Sequence, residues 1–295
     1  MTAPLRVGAV IITMGNRPDD LKALLDSVAR QEGDPVEVVV VGQGVTVTGL
    51  VPAGVRTLDL PENLGIPGGR NAGIEAFGPG GREVDVLLFL DDDGLLPRTD
   101  TAELCRQAFT EDPELGIVSF RIADPDTGAT ARRHVPRLRA ADPMRSSRVT
   151  TFLGGANAVR TKVFEQVGGL PGAFFYAHEE TDLAWRALDA GWQIDYRADM
   201  VLFHPTTAPS RHASYHHNVA RNRVWLARRN LPAVLVPVYL GVWTLLTLVR
   251  RPSAAALKAW CGGFREGWRA DCGPRRPMKW KTVWRLTRLG RPPVI

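Results

Sequence analysis

Two runs in this sequence have no side that suits water. "VEVVVVG" (residues 36–42) and "VDVLLFL" (84–90) are apolar except for Glu37 and Asp85. A strand with one wet face alternates apolar and polar residues. Runs like these suit strands covered on both faces, as in parallel sheets. "LRVGAVIIT" (5–13) and "LGIVSF" (115–120) read as further buried strands, and "VRTLDL" (55–60) as another. Between them lie segments with helical spacing. "RPDDLKALLDSVARQ" (17–31) places Leu21, Leu24, Leu25 and Val28 on one face, with Pro18 in the first turn. "IPGGRNAGIEAFG" (66–78) starts as a glycine-rich turn and becomes a short helix. "TDTAELCRQAFTED" (99–112) reads as a helix capped by Thr99. This alternation predicts an α/β fold, a mainly parallel sheet flanked by helices.

Beyond residue 120 the pattern loosens. Residues 121–149 are rich in loop formers and suggest a hairpin. Residues 154–171 contain a short helix. "EETDLAWRALDAGW" (179–192) is a helix with Leu183, Ala184, Ala187 and Leu188 on one face. "QIDYRADMVLFHP" (193–205) suggests short strands, and residues 211–230 a long basic helix.

Composition adds limits. At 44% hydrophobic and 23% charged, the 295-residue chain is globular. Three cysteines without CxxC spacing argue against a disulfide framework or a zinc ribbon and suit a reducing cytosol. The apolar start reads as a first strand rather than a signal peptide. The net charge of +6 is uneven. Residues 250–295 carry 12 Lys/Arg against 2 Asp/Glu, so the first 249 residues carry 25 against 29. Such a tail suits an anionic surface, membrane or nucleic acid. Residues 231–249 hold no charge and meet the minimum length for a membrane span. Pro232 and Pro237 interrupt them, however, and Tyr239 and Trp243 sit mid-run, which favours an interfacial or packed helix. In "KWKTVWRLTRL" (279–289), Trp280, Val283 and Trp284 share one helical face and Lys281, Arg285 and Arg288 another, an interfacial pattern.

The chemistry concentrates where "VDVLLFL" ends in Asp91, Asp92 and Asp93. Ligands of open parallel sheets bind beyond the carboxyl ends of strands. Adjacent carboxylates repel one another, and a hard divalent cation, Mg²⁺ or Mn²⁺, relieves this and can hold a diphosphate. There is no GxxxxGK[ST], and "TMGNRPDD" after the first strand is not GxGxxG, which argues against a P-loop enzyme or a dinucleotide dehydrogenase. A phosphatase with an aspartyl nucleophile normally has a hydroxyl residue soon after, where Gly94, Leu95 and Leu96 stand.

In order along the chain come Asn16-Arg17, "ENLGIPGGRNAGI", "FLDDD", "GGANAVRTKVFEQVGGL", "HEETDLAWRALDAGW" and "FHP". In this series the sequence resembles the inverting glycosyltransferases of family 2. The similarity is greatest to the bacterial branch that builds rhamnosyl and galactofuranosyl linkages on cell-envelope glycans. The resemblance implies a GT-A fold over residues 1–230, with 231–295 as a helical, basic and apolar extension. It implies that Thr13, Gly15, Asn16 and Arg17 hold the base and ribose of a UDP- or dTDP-sugar. Gln43 stands where the family usually has an Asp that contacts the base. Gly65, Gly69, Arg70 and Asn71 fall in the donor loop, with Asp91 and Asp92 also in contact with the donor. Asp91, Asp93 and His204 are the implied ligands of Mg²⁺ or Mn²⁺. In "HEETDL", Glu180 takes the place of the catalytic base, with Glu179 and Asp182 as alternatives. The basic stretch of Arg211, His212, His216, His217, Arg221 and Arg223 suits contact with a diphosphate. The implied acceptor is a glycan or a lipid-linked saccharide, not a nucleic acid, reached from the cytoplasmic face of the plasma membrane with the C-terminal region in peripheral contact. A sugar-phosphate nucleotidyltransferase and a non-catalytic membrane-attached module are the rival readings.

Overall fold

The structure is a computed structural model that describes residues 3–138, 142–205 and 213–295. Its elements run β1 (Val7–Thr13), α1 (Pro18–Ala29), β2 (Glu37–Gln43), β3 (Arg56–Leu60), α2 (Gly65–Glu75), β4 (Val86–Asp91), α3 (Thr101–Glu111) and β5 (Leu115–Ala123). They continue with β6 (Ser147–Arg148), β7 (Ala156–Arg160), α4 (Thr161–Val167), α5 (Glu179–Ala190), β8 (Gln193–Phe203), α6 (Ala213–Asn230), α7 (Leu235–Val249), α8 (Ala254–Arg269) and α9 (Trp280–Arg288).

The eight strands form one sheet in the order β3-β2-β1-β4-β7-β5-β8-β6. Strands β3, β2, β1 and β4 are parallel, as are β5 and β8, while β7 runs antiparallel between β4 and β5. The period of two along each strand divides the core. Ala9, Ile11, Val40, Leu88 and Leu90 face α1 and α3. Val10, Val39, Val41, Leu87 and Phe89 face the opposite layer, with α2, α4 and α5. Leu231, Val236, Tyr239, Met278 and Leu286 belong to that second core, so the C-terminal helices share apolar packing with the sheet.

Several expectations from the sequence are corrected. Thr99 does not cap α3. Asp100 holds the cap position without a side-chain cap, and the Thr99 hydroxyl donates to the Glu32 carboxylate instead. Residues 193–203 form one long strand rather than short ones, with an irregular register where Phe120 passes to Arg121 opposite it. Among the described residues of 121–149 there is no hairpin. The Asp124 amide and carbonyl instead close a loop with Ala129 and Gly128, and past the end of β5 at Ala123 only Ser147–Arg148 form a strand, paired with β8. Strand β7 lacks the apolar run of the other central strands, because "ANAVR" is short and carries Asn and Arg. Helix α8 falls within the helical extension expected of residues 231–295, and its glycines do not break it. They serve instead for close approach: a Cβ on Gly263 would lie 2.0 Å from the His217 carbonyl oxygen of α6. No helix among the described residues is long and apolar enough to cross a membrane. Helix α7 begins only at Leu235, with Pro237 in its first turn, where a missing N–H breaks no bond. In α9 the buried residues are Thr282 and Leu286, with Val283 partly packed, so Trp280 and Trp284 point outward and do not share Val283's environment.

Candidate active site

The parallel register sets Ile12 beside Asp91 and Thr13 beside Gly42, so β1, β2 and β4 end together. Beyond those ends lies a pocket of about 530 Å³, lined by Thr13, Asn16, Arg17, Gln43, Gly65 and Asp91–Asp93 on one side and His204, Phe175, Tyr176 and Tyr215 on the other. This is the volume range of small-molecule sites. Gly15 turns the chain with φ +71 and its amide donates to the Thr13 hydroxyl at 3.0 Å, but it does not line the pocket.

The three aspartates diverge. Asp92 turns back and accepts a 2.6 Å bond from the Thr13 hydroxyl, with Arg17 at 3.3 Å. Burial pushes its carboxyl above the usual range, against the Thr13 bond and Arg17. Asp93 meets Arg17 Nη1 at 2.5 Å and His204 Nε2 at 3.1 Å. Burial alone would raise Asp93, but the His204 hydrogen bond and the two cations hold it below the ordinary carboxylate range. Asp93 in turn raises His204. The same imidazole nitrogen lies 3.8 Å from Asp91 Oδ2, while its Nδ1 faces the Pro205 carbonyl at 2.8 Å. Two carboxylates therefore face one imidazole nitrogen, and hard oxygens with one borderline nitrogen suit Mg²⁺ or Mn²⁺. Among the described residues no group of three or more His, Cys, Asp or Glu side chains is placed to hold a metal ion. The fit is to an open site, which such ions complete with substrate phosphates.

Asp91 is wedged from behind. A Cβ on Gly155 would fall 1.8 Å from Asp91 Oδ2, so only glycine fits there. We expect Gly155→Ala to displace Asp91 and cut turnover at least about tenfold while the fold survives. Wild-type turnover in a folded G155A protein would show that the position of Asp91 does not matter.

Arg70 joins the pocket to the acidic motif. Its buried guanidinium, 4% exposed, donates to Asp91 at 3.2 Å and to Glu180 at 3.4 Å. Glu180 opens α5, keeps 19% side-chain exposure and lies across Arg70 from the pocket. Burial raises its carboxyl, and Arg70 limits the rise. Its neighbour Glu179 is 1% exposed, with one oxygen unpartnered, and burial beside Glu180 raises it well above the ordinary range. Asp182 is fully buried between Arg186 at 2.7 Å and Arg229 at 2.9 Å, with Asn230 donating at 2.8 Å. Despite its burial these partners hold it low. Glu179 and Asp182, the alternative bases, are therefore shut away from substrate, and Glu180 is the one that can be reached.

Other residues expected at the donor do structural work. Asn71 does not line the pocket; it clamps Leu170, donating to its carbonyl and accepting from its amide, both at 2.9 Å. A Cβ on Gly69 would lie 2.2 Å from Gln43 Nε2, so the close approach there is to Gln43 and not to a ligand. Gln43 donates to the Gly65 carbonyl at 2.7 Å and accepts from the Leu64 amide at 3.0 Å. An aspartate could only accept, so the amide is needed for this double hold on the loop. His217 and Arg221 pair with Glu266, and neither they nor His216 line the pocket; Arg211 and His212 lie outside the described residues.

Sequence reasoning missed the wall formed by residues 175–178. Phe175, Ala177 and His178 all have positive φ without being glycine, a strain on the order of 1–3 kcal/mol each. Asn222 holds the segment by donating to the carbonyls of Phe174, Tyr176 and Ala177 at 2.7–2.9 Å. Gly65 fits beneath it, where a Cβ would lie 2.3 Å from the Phe175 oxygen. Nothing in "FFYAH" signals this.

The family model described as "Glycosyl transferase family 2" matches residues 9–168, more than half of the chain. The chain belongs to this family. Solved structures add the fold. The chain is similar to GalNAc-T7 in complex with UDP, GalNAc and Mn²⁺ (TM-score 0.64, 11% identity, covering 91% of this chain and 57% of that one). It is also similar to the mannosyltransferase PcManGT from Pyrobaculum calidifontis with GDP-Man and Mn²⁺ (0.56, 17%, 98% and 74%). A third is S. aureus TarS 1–349 with UDP (0.59, 13%, 89% and 81%). The chain thus has the GT-A fold, and it spans 57% of the GalNAc-T7 chain. No curated protein matches the sequence. Glu180 and His204 lie past the matched residues, so the family match does not bear on them.

Proposed function

We propose that this glycosyltransferase moves a sugar from a nucleoside diphosphate donor to an acceptor hydroxyl with inversion. The observation that carries the reading is the pairing of Asp91 and Glu180 through one buried guanidinium, Arg70, at the edge of the pocket. Thr13, Asn16, Arg17 and Gln43 hold the base and ribose of a UDP- or dTDP-sugar. Asp91, Asp93 and His204 hold Mg²⁺ or Mn²⁺, which when bound supplies positive charge for the departing diphosphate. Glu180 removes the acceptor proton as the hydroxyl attacks the anomeric carbon, and the nucleoside diphosphate leaves from the opposite side. Arg70 orients the base and tempers its rise in pKa.

Residues 1–230 form the catalytic part in this reading, and residues 231–295 bring it to the cytoplasmic membrane face where a cell-envelope glycan or lipid-linked acceptor is built. Support for that placement comes from α7. Val234, Val238, Leu245 and Leu248 form an exposed apolar stripe, 48–64% exposed, that runs to Arg250 and Arg251. Such a stripe with basic residues at its end suits the boundary of an anionic bilayer. The double variant V238E/L245E is expected to lose sedimentation with phosphatidylglycerol vesicles; unchanged sedimentation would remove the membrane role.

Incubation with UDP- and dTDP-sugars and Mn²⁺ tests the reaction. Release of nucleoside diphosphate supports transfer. Turnover that requires pyrophosphate would instead favour a nucleotidyltransferase.

A further inference from the structure

Behind the first turn of α5 lies a second, mostly enclosed cavity of about 80 Å³. Arg223 of α6 and Arg291, just past α9, both line it. Arg223 is 9% exposed, and burial depresses both guanidinium groups. Among the described residues neither has a carboxylate within ion-pair distance, and the charges that act on them include Arg132 and Arg250, of the same sign. Arg223 stacks 3.6 Å from the Trp243 ring and bonds the Tyr239 hydroxyl. A cation–π contact recovers only part of what it takes to remove a guanidinium from water.

Of the buried polar atoms left without a partner, Arg223 Nε and Trp243 Nε1 can only donate. Arg223 Nε, Trp243 Nε1 and His178 Nε2 are buried without a partner, and burial keeps the His178 imidazole neutral. Thr150 and Thr151 add hydroxyls. Water brings no charge and has too few lone pairs for this set, whereas a phosphate group offers both charge and several acceptors.

The cavity also lies close to Glu180: His178 and Thr181, which bracket Glu179 and Glu180 in the chain, line it. Thr151 and Arg291 continue into a cleft of about 310 Å³ lined by Arg132, Arg137 and Leu153. The next residue, Gly154, touches the base: a Cβ there would lie 2.0 Å from Glu180 Oε1.

We infer that the cavity of Arg223 and Arg291 is a phosphate subsite for the acceptor, which therefore carries a phosphate group near the hydroxyl that Glu180 activates. This rests on Glu180 being the base, and it deepens that reading by assigning the acceptor's chemical class. The phosphate is either that of a lipid or that of a soluble sugar phosphate. Helix α7, whose Tyr239 and Trp243 wall the cavity while its opposite face is apolar and exposed, suits the first.

The test is thermal melting of the whole chain with a chelator present, comparing inorganic phosphate with sodium chloride at equal ionic strength. Phosphate should raise the Tm by about 3 °C, and Arg291→Gln should lose most of that rise. Where R291Q does not fold, Trp243→Phe, which deletes a single donor, should reduce it. Equal melting in phosphate and chloride, or a rise undiminished in the folded variants, overturns the proposal. Octyl phosphate separates the sources: binding tighter than inorganic phosphate points to a lipid, equal binding to a soluble phosphate. Melting with UDP and Mn²⁺, run alongside, reports on the donor pocket alone, so a failure there would not be mistaken for a failure of the phosphate subsite.

Discussion

Replacing Glu180 with Gln is expected to lower transfer by roughly 10²–10⁴-fold, the usual contribution of a positioned general base. Nucleotide binding should persist, because Glu180 stands across Arg70 from the pocket and does not line it. The pH dependence provides a second reading of the same group. Burial raises Glu180, and the base works only when deprotonated. Activity should therefore climb with rising pH through a limb displaced above the ordinary range of a glutamate. Removal of Arg70 takes away the cation that favours the charged form, so Arg70→Gln should move the limb to still higher pH. An E180Q enzyme with wild-type transfer, or a limb unmoved by R70Q, would remove Glu180 from the mechanism.

Asp93→Asn should be about as damaging, by a different route. Asp93 is shared by His204 and Arg17, and its carboxyl is held low, so it is charged throughout the neutral range. The amide keeps the shape but loses the charge and one acceptor. The expected result is loss of Mn²⁺-dependent nucleotide binding and a fall in turnover on the order of 10²-fold or more. Asp92→Asn should cost much less activity, because Asp92 turns to Thr13, and burial raises its carboxyl rather than holding it low as in Asp93. Equal damage from the two substitutions would show that the aspartates act as an undivided acidic patch.

How much of this was legible in the sequence depended on the kind of signal. β1, β2 and β4 could be read because strands buried on both faces leave continuous apolar runs. β7 is just as buried, but it is five residues long and includes Asn157 and Arg160, whose side chains reach backbone carbonyls. The acidic motifs stood out as residue types, while their division of labour did not. Only packing separates Glu180 from Glu179 and Asp182, and it does so through Arg70, Arg186 and Arg229, far apart in the chain. Gln43 looked like the loss of a base contact; the structure gives its amide a hold on residues 64 and 65 that no carboxylate could provide. The strained wall at residues 175–178 left no trace, because its support comes from Asn222 and not from local glycines. Arg223 belongs to the basic stretch that suits a diphosphate, yet it lies buried behind the first turn of α5 with no carboxylate beside it.

The central claim is that Asp91, Asp93 and His204 serve a nucleoside diphosphate through a divalent cation. Calorimetric titration of UDP and dTDP into the wild-type protein and the D93N variant, with Mn²⁺ or with chelator, addresses it most directly. The account predicts that at least one nucleotide binds the wild-type protein only with Mn²⁺ and fails to bind D93N. Binding of equal strength in chelator, or in D93N, would contradict it.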